Sequence, residues 1–224
     1  MTEKIVDWPA LRNKNYVFKD RSYAGTLLAT EIEKHVHASP VLLALPAGGI
    51  PVGYVVARHL TIPMNVAVVR KIQVPWNTEA GFGAVTWDGS VILNDQLVSQ
   101  LGLTPTQIED CISRTRKTVA ERVQKFSGGR GHPEIRGREI IIVDDGLASG
   151  YTMMAAAQSI QRQKPRRTIV AVPTGSKNAV QLVSSKADLL ICLNIRAGFV
   201  FAVADAYEEW YDLTDEEVAR YLQE

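Results

Sequence analysis

The feature that most constrains this chain is a set of short apolar runs that do not alternate with polar residues. Val41–Leu45, Met64–Val69, Ile140–Val143, Thr168–Val172 and Leu189–Asn194 keep apolar side chains at nearly every position. A strand exposed on one face alternates, whereas a strand covered on both faces does not. Helical text separates the runs: a helix from near Arg21 that ends within Glu31–Val36, then Pro51–Leu60, Tyr151–Gln163 and Asn178–Ser184. Pro51 suits a first helical turn, where its missing N–H removes no bond. Strands and helices in this alternation specify an α/β fold with a parallel sheet flanked by helices. With 224 residues and 46% hydrophobic content, the chain is large enough to bury such a core as one domain.

The segment from about 72 to 137 departs from the alternation. Phe82–Asn94 reads as a hairpin turning at Asp88-Gly89. Thr104-Pro105-Thr106-Gln107 reads as a capping box that opens a helix to about Phe126, and a polar run from Ser127 to Gly137 follows. The segment is an excursion, hairpin plus helix, between two core strands.

Composition narrows the function classes. Twenty-five basic and 24 acidic residues leave a net charge of +1, which argues against a broadly basic nucleic-acid binder. No apolar run approaches the ~18 residues of a membrane span, and Met1–Asp7 carries no apolar signal core. Two distant cysteines, Cys111 and Cys192, suit a reduced, cytoplasmic setting. His35 and His37 have no evident further metal ligands, and His59 and His132 read as structural or solvated. The basic run Arg162–Arg167 reads as a solvated helix end.

The chemistry concentrates in Glu139–Thr152, EIIIVDDGLASGYT. If Ile140–Val143 is a strand, Asp144 and Asp145 stand at its carboxyl end, where parallel sheets bind ligands. Gly146-Leu147-Ala148-Ser149-Gly150 then leads into a helix whose first N–H groups can cradle an anion, and Ser149 and Thr152 add hydroxyl donors. Carboxylates for sugar hydroxyls beside a phosphate cradle are what a sugar phosphate requires. A Walker-type magnesium site would need G-x-x-x-x-G-K-[ST], which the sequence lacks. Gly48-Gly49 ahead of Pro51 can form a second anion nest, and Arg70-Lys71 after the second apolar run can neutralise a diphosphate. Phe199, Phe201, Tyr207, Trp210 and Tyr211 can stack on a flat base or pack the last helix. Trp76 and Trp87 can line a lid or an oligomer contact.

Ile140–Thr152 resembles the phosphoribosyl-diphosphate (PRPP) signature of type I phosphoribosyltransferases, with Gly146 where many members carry a branched apolar residue. Leu42–Gly49 resembles that family's diphosphate loop, and Val68-Val69-Arg70-Lys71 the basic pair before its flexible loop. The whole chain is similar to a subgroup of undefined substrate, through Phe18-Lys19-Asp20-Arg21, Ala24-Gly25, the middle insertion and the ending from Phe201. The resemblance implies one domain over residues 1–224, a parallel sheet of about five strands, an insertion at about 72–137 and a C-terminal hood at about 195–224. It implies a magnesium-dependent pentosyltransferase that moves 5-phosphoribosyl from PRPP to a small nitrogenous acceptor, with diphosphate released, and that works as a homodimer.

On that reading Asp144, Asp145, Arg70 and Lys71 are catalytic, and Asp144 and Asp145 assist Mg2+ directly or through water. Asp144, Asp145, Gly146, Leu147, Ala148, Ser149, Gly150, Tyr151 and Thr152 hold ribose and 5′-phosphate. Pro46, Ala47, Gly48 and Gly49, with Arg70 and Lys71, hold diphosphate, and Phe201 is the candidate for the base. The resemblance also implies a cis peptide between Pro46 and Ala47. The 6-oxopurine enzymes generally carry Asp where Ala148 stands, so the resemblance implies that hypoxanthine and guanine are not the acceptors, which narrows the field without selecting a member. Neutralising either Asp relieves their repulsion, so neither change is expected to harm folding. Two other readings remain. A non-catalytic PRPP-sensing regulator would use the same site without turnover. A Rossmann-like enzyme would need G-x-G-x-x-G, and Gly48–Gly53 supplies only part of that spacing.

Overall fold

The computed structural model describes residues 4–37, 40–127, 133–198 and 200–223. Its main sheet has six strands, all parallel, in the order β1-β9-β8-β7-β2-β3. These are β1 (Ile5–Val6), β2 (Val41–Ala44), β3 (Met64–Val66), β7 (Glu139–Val143), β8 (Arg167–Ser176) and β9 (Leu189–Arg196). Strands stand at all five expected places, the one from Met64 shorter than expected, and the two-residue β1, too short to read from sequence, adds an edge beside β9. β2 and β7 are buried along their whole length, which is why their sequence does not alternate.

Helix placement follows from handedness. The chain moves across the sheet in one direction from β1 through α1 (Arg21–Glu33) to β2, and through α2 (Gly49–Leu60) to β3. It moves in the other direction through α5 (Tyr151–Arg162) and α6 (Lys177–Ser184). Right-handed crossovers therefore put α1 and α2 on one face and α5 and α6 on the other. At the far edge of β7, the buried carboxylate of Glu139 lies 3.6 Å from Arg166 and 3.7 Å from Arg167, so part of the basic run faces a buried charge.

The excursion forms a second sheet, antiparallel, of β4 (Val69–Val74), β5 (Asn77–Thr86) and β6 (Val91–Leu93). The β5–β6 turn contains Gly89 at φ +79°, as Asp88-Gly89 predicts. Helices α3 (Asp95–Leu101) and α4 (Pro105–Ser127) follow. Thr104 and Gln107 bond reciprocally at the start of α4, which fits the capping box. One expectation is corrected. Met64–Val69 is not one strand: β3 stops at Val66, and Val69 begins β4, so Arg70-Lys71 lies inside the antiparallel sheet rather than at the end of a core strand. The apolar run through Val66-Ala67-Val68-Val69 is continuous, and nothing in it marks the change of partner. Helix α7 (Asp215–Gln223) closes the chain, with Asp215 paired to Arg122 and Lys125 of α4.

Candidate active site

Two loops leave the sheet side by side. Ala44, the last residue of β2, and Val143, the last of β7, are register partners, and Leu45 N–H donates to Val143 O at 2.9 Å. After β7 the chain runs through Asp144, Asp145 and Gly146. It then docks on the extended end of β8: Leu147 N–H donates to Thr174 O and Ser176 N–H to Leu147 O, both at 2.9 Å. Ser176 Oγ donates to Ala148 O at 2.8 Å. Gly150 turns the chain at φ +79° into α5, a conformation that favours glycine, and a Cβ there would also press on Val183 and Ala179. Ser149, Tyr151 and Thr152 are exposed at this helix start.

After β2 the Pro46–Ala47 peptide is cis, as the resemblance implies. Helix α2 begins at Gly49, two residues before the expected Pro51 start, so both glycines belong to the helix entry. They are glycines because the neighbouring loop is there. A Cβ on Gly48 would stand 1.8 Å from Asp145 Oδ2, and one on Gly49 2.8 Å from Val143 O. Gly146 has a similar cause from another direction: its Cβ would lie 2.6 Å from Val203 Cγ1 and 3.0 Å from Thr174 Cγ2. The space that a side chain at position 146 would take is filled by Val203, brought in from the C-terminal segment.

The carboxylate pair sits at a recessed strand end. Burial pushes both carboxyls up from their ordinary value, Asp144 further because the Asp145 charge adds to it. Against that, Arg21 Nε donates to Asp145 Oδ2 at 2.9 Å and holds the Asp145 carboxyl down, and Asp145 N–H donates to Asp144 Oδ1 at 2.8 Å. Tyr207 Oη donates to Asp145 O at 2.6 Å, and burial pushes its hydroxyl well up. The repulsion that the sequence poses is thus answered by a cation on α1. In the sequence Arg21 stands only within Phe18-Lys19-Asp20-Arg21, with no role of its own, and Tyr207 reads only as a stacking or packing aromatic. Tyr207 is 1% exposed and packs between Phe18 and Trp210, so it is not available to a base.

Other site candidates are distributed less tightly. Lys71 runs its stem over Gly81, where a Cβ would meet Lys71 Cγ at 2.1 Å. It lines a cavity of about 630 Å³ together with Ser149, Tyr151 and Thr152, and with apolar Phe82 and Leu97. Arg70 is exposed but half-enclosed; burial and then Arg122 push its guanidinium down, while Asp215 opposes them. Its charged surroundings are therefore on α4 and α7. Phe201 carries Arg196 over its ring at 5.1 Å, and Phe199 and His132 lie outside the described residues. Trp87 is buried and Trp76 is 62% exposed near the β4–β5 turn. His35 meets Glu31, and His59 meets Glu33.

Among the described residues no group of three or more His, Cys, Asp or Glu side chains is placed to hold a metal ion. The Asp pair offers fewer ligands than that, with one oxygen of Asp145 given to Arg21 and one of Asp144 to a main-chain N–H. Such a pair suits magnesium, which keeps much of its water and takes phosphate oxygens from a substrate. Among the described residues no helix is long and apolar enough to cross a membrane.

Residues 87–208 match the family described as the phosphoribosyl transferase domain. A Mycobacterium tuberculosis H37Rv protein provisionally named as a phosphoribosyl transferase is 35% identical over 206 residues, which are 92% of this chain and 46% of that protein. The chain thus spans about half the length of the curated relatives it matches. The crystal structure of TT1426 from Thermus thermophilus is 33% identical, with a TM-score of 0.79 over 92% of this chain and 97% of that one. A hypothetical protein from Neisseria gonorrhoeae with bound ppGpp shares the fold at 14% identity and a TM-score of 0.50, over 95% of this chain and 96% of that one. The family match covers more than half of the chain and contains the Asp pair with its loop: the chain belongs to the phosphoribosyl transferase domain family and has the type I fold of that family.

Proposed function

We propose that this chain transfers a 5-phosphoribosyl group from PRPP to a nitrogen nucleophile, a nucleobase or amine, and releases diphosphate. The observation that carries the proposal is the pairing of Ala44 with Val143. It sets the Gly48-Gly49 loop and the Asp144–Thr152 loop side by side, with the carboxylate pair between them. A ligand with phosphate groups at both ends of a ribose fits that order. Main-chain N–H groups from Ala148 to Thr152, with the Ser149 and Thr152 hydroxyls, hold the 5′-phosphate at the start of α5. Asp144 and the second carboxylate oxygen of Asp145 accept from the ribose hydroxyls. Pro46–Gly49 hold the diphosphate, and Lys71 reaches it from the rim of the cavity that it shares with the phosphate loop.

In the reaction the C1′–O bond to diphosphate breaks, the acceptor nitrogen bonds to C1′, and the nitrogen loses a proton. Positive character develops at C1′ and negative charge on the leaving group. The chain's contribution is fixed charge and orientation: carboxylates beside the ribose, cations and N–H groups beside the diphosphate. Magnesium, held by Asp144 or Asp145 directly or through water, would supply charge neutralisation for the diphosphate. Phe201 in the hood is proposed for the base, with one ring face already under Arg196. A reduced, cytoplasmic setting belongs to the same reading and draws on the two free, buried cysteines.

The experiment is a panel of purine and pyrimidine bases and amines, each with PRPP and magnesium, scored by diphosphate release. Turnover of one acceptor, with hypoxanthine and guanine inactive because Ala148 carries no proton acceptor, is the expected result. PRPP that binds but is not consumed with any acceptor would identify a sensor instead.

A further inference from the structure

Arg21 lies far from the phosphate signature in sequence, yet it touches it. The Asp20 carboxylate accepts from Tyr23 N–H and so fixes the start of α1, and Arg21 is the first residue of that helix. Its side chain is 9% exposed. Nε donates to Asp145 Oδ2 at 2.9 Å, Nη1 donates to Tyr211 O at 2.9 Å, and the guanidinium carbon lies 3.8 Å from the Trp210 ring centroid. Trp210 packs on Tyr207 at 5.1 Å, and Tyr207 Oη returns to the main-chain oxygen of Asp145 at 2.6 Å. Arg21, Asp145, Tyr207 and Trp210 therefore close a ring of contacts. Main-chain bonds from Glu208 to Phe18 and from Glu209 to Lys19, each 2.8 Å, fasten the same two segments together.

We infer that Arg21 is a positioning residue that joins the sugar site to the hood: it holds the Asp145 carboxylate against Gly48 and ties it to Trp210 and Tyr211. The inference rests on the proposed PRPP site and assigns that site a connection to the acceptor side. Asp145 is gripped at its side chain by Arg21 and at its main-chain oxygen by Tyr207. A ligand that fixes Asp145 then also fixes residues 203–211, and order in that segment favours the ligand by the same factor. Arginine is specific to this task. One planar group stacks on an indole face while two of its N–H vectors reach a carboxylate and a carbonyl, which a lysine ammonium cannot do together.

The test compares the wild type with Arg21→Met, Arg21→Ala, Arg21→Lys and Trp210→Leu. Hydrogen exchange of residues 203–211 is followed with and without PRPP and magnesium, and PRPP affinity is measured by calorimetry. Without ligand, Arg21→Met should exchange the 203–211 amides at least tenfold faster than wild type. Its PRPP affinity should fall by at least tenfold, and guanidinium ion added to Arg21→Ala should restore part of it. Arg21→Lys should keep PRPP affinity within about fivefold, yet PRPP should no longer slow exchange in 203–211. If Arg21→Met does not fold, Trp210→Leu carries the test through the same loss of PRPP-induced protection. Wild-type exchange rates in ligand-free Arg21→Met, or in the failing case full PRPP-induced protection in Trp210→Leu, overturn the inference. Failure of the wild type to bind PRPP overturns the proposed function instead, and the ligand-free comparison still decides whether Arg21 secures the hood.

Discussion

The carboxylate of Asp145 occupies the place where Gly48 would carry a side chain: a Cβ built on Gly48 would stand 1.8 Å from Oδ2 and 2.3 Å from Cγ. The two proposed anion loops are therefore in direct contact through one residue that has no side chain and one that uses the space. Gly48→Ala forces the Asp145 carboxylate, which Arg21 holds, or the Gly48 loop to shift. PRPP affinity, read by calorimetry, should drop at least tenfold, whereas the strands, which do not involve Gly48, keep the circular dichroism of the wild type.

The two aspartates should respond differently to neutralisation. Asp144→Asn removes a charge that burial and Asp145 both oppose, so thermal stability should hold or rise. Asp145→Asn leaves the enclosed Arg21 without its charged partner and should cost about 1–3 kcal/mol in denaturant unfolding. The sequence alone predicts no folding penalty for either, because it does not reveal Arg21. Both variants should lose roughly tenfold or more in PRPP binding, since a charge-assisted hydroxyl–carboxylate bond is worth ~1.5–3 kcal/mol. Normal PRPP binding in both would remove the pair from the site.

Gly146 and Val203 should behave as a coupled pair. Gly146→Ala places a methyl 2.6 Å from Val203 Cγ1 and should destabilise by about 1–3 kcal/mol through overpacking. Val203→Ala clears both γ carbons, so the double variant Gly146→Ala/Val203→Ala should recover much of that loss. A double-mutant cycle with no coupling would show that Val203 does not bear on Gly146.

Acid should loosen the inserted sheet through Asp88. Burial raises its carboxyl, but bonds from Thr86, Ser159 and Ser90 outweigh burial and hold it below the ordinary aspartate value. A carboxyl lowered in the fold contributes stability above its unfolded value, and that contribution is lost as pH falls through the folded value. Unfolding free energy should therefore decline below about pH 4 more steeply in the wild type than in Asp88→Asn. Asp88→Ala also strands the fully buried Ser159 hydroxyl, at a cost of about 1–3 kcal/mol. Equal pH slopes in the wild type and Asp88→Asn would show that Asp88 has no such role.

What the sequence reveals here depends on contiguity. Ile140–Thr152 holds strand, carboxylates, loop and helix start in one stretch, and Leu42–Gly49 does the same for the second loop, so both are readable without a structure. Arg21 reaches Asp145 across 124 positions and Tyr207 across 62, and no local pattern marks either contact. Gly146 is visible as an oddity, but its cause, Val203, belongs to a distant segment. The break between β3 and β4 is hidden for a different reason: both strands need apolar residues at the junction, so two elements read as one.

The Ala44–Val143 rung acts as a gauge. Neighbouring strands in any sheet stand about 4.8 Å apart, set by main-chain hydrogen bonds rather than by side chains. On the proposed reading, that spacing sets the starting separation between the cradle for one end of the sugar phosphate and the cradle for the other. A gauge made of peptide groups does not lengthen when side chains are exchanged. Tolerance for a different acceptor therefore has to arise in the inserted sheet and the hood, while the length of donor that the two loops accept stays fixed.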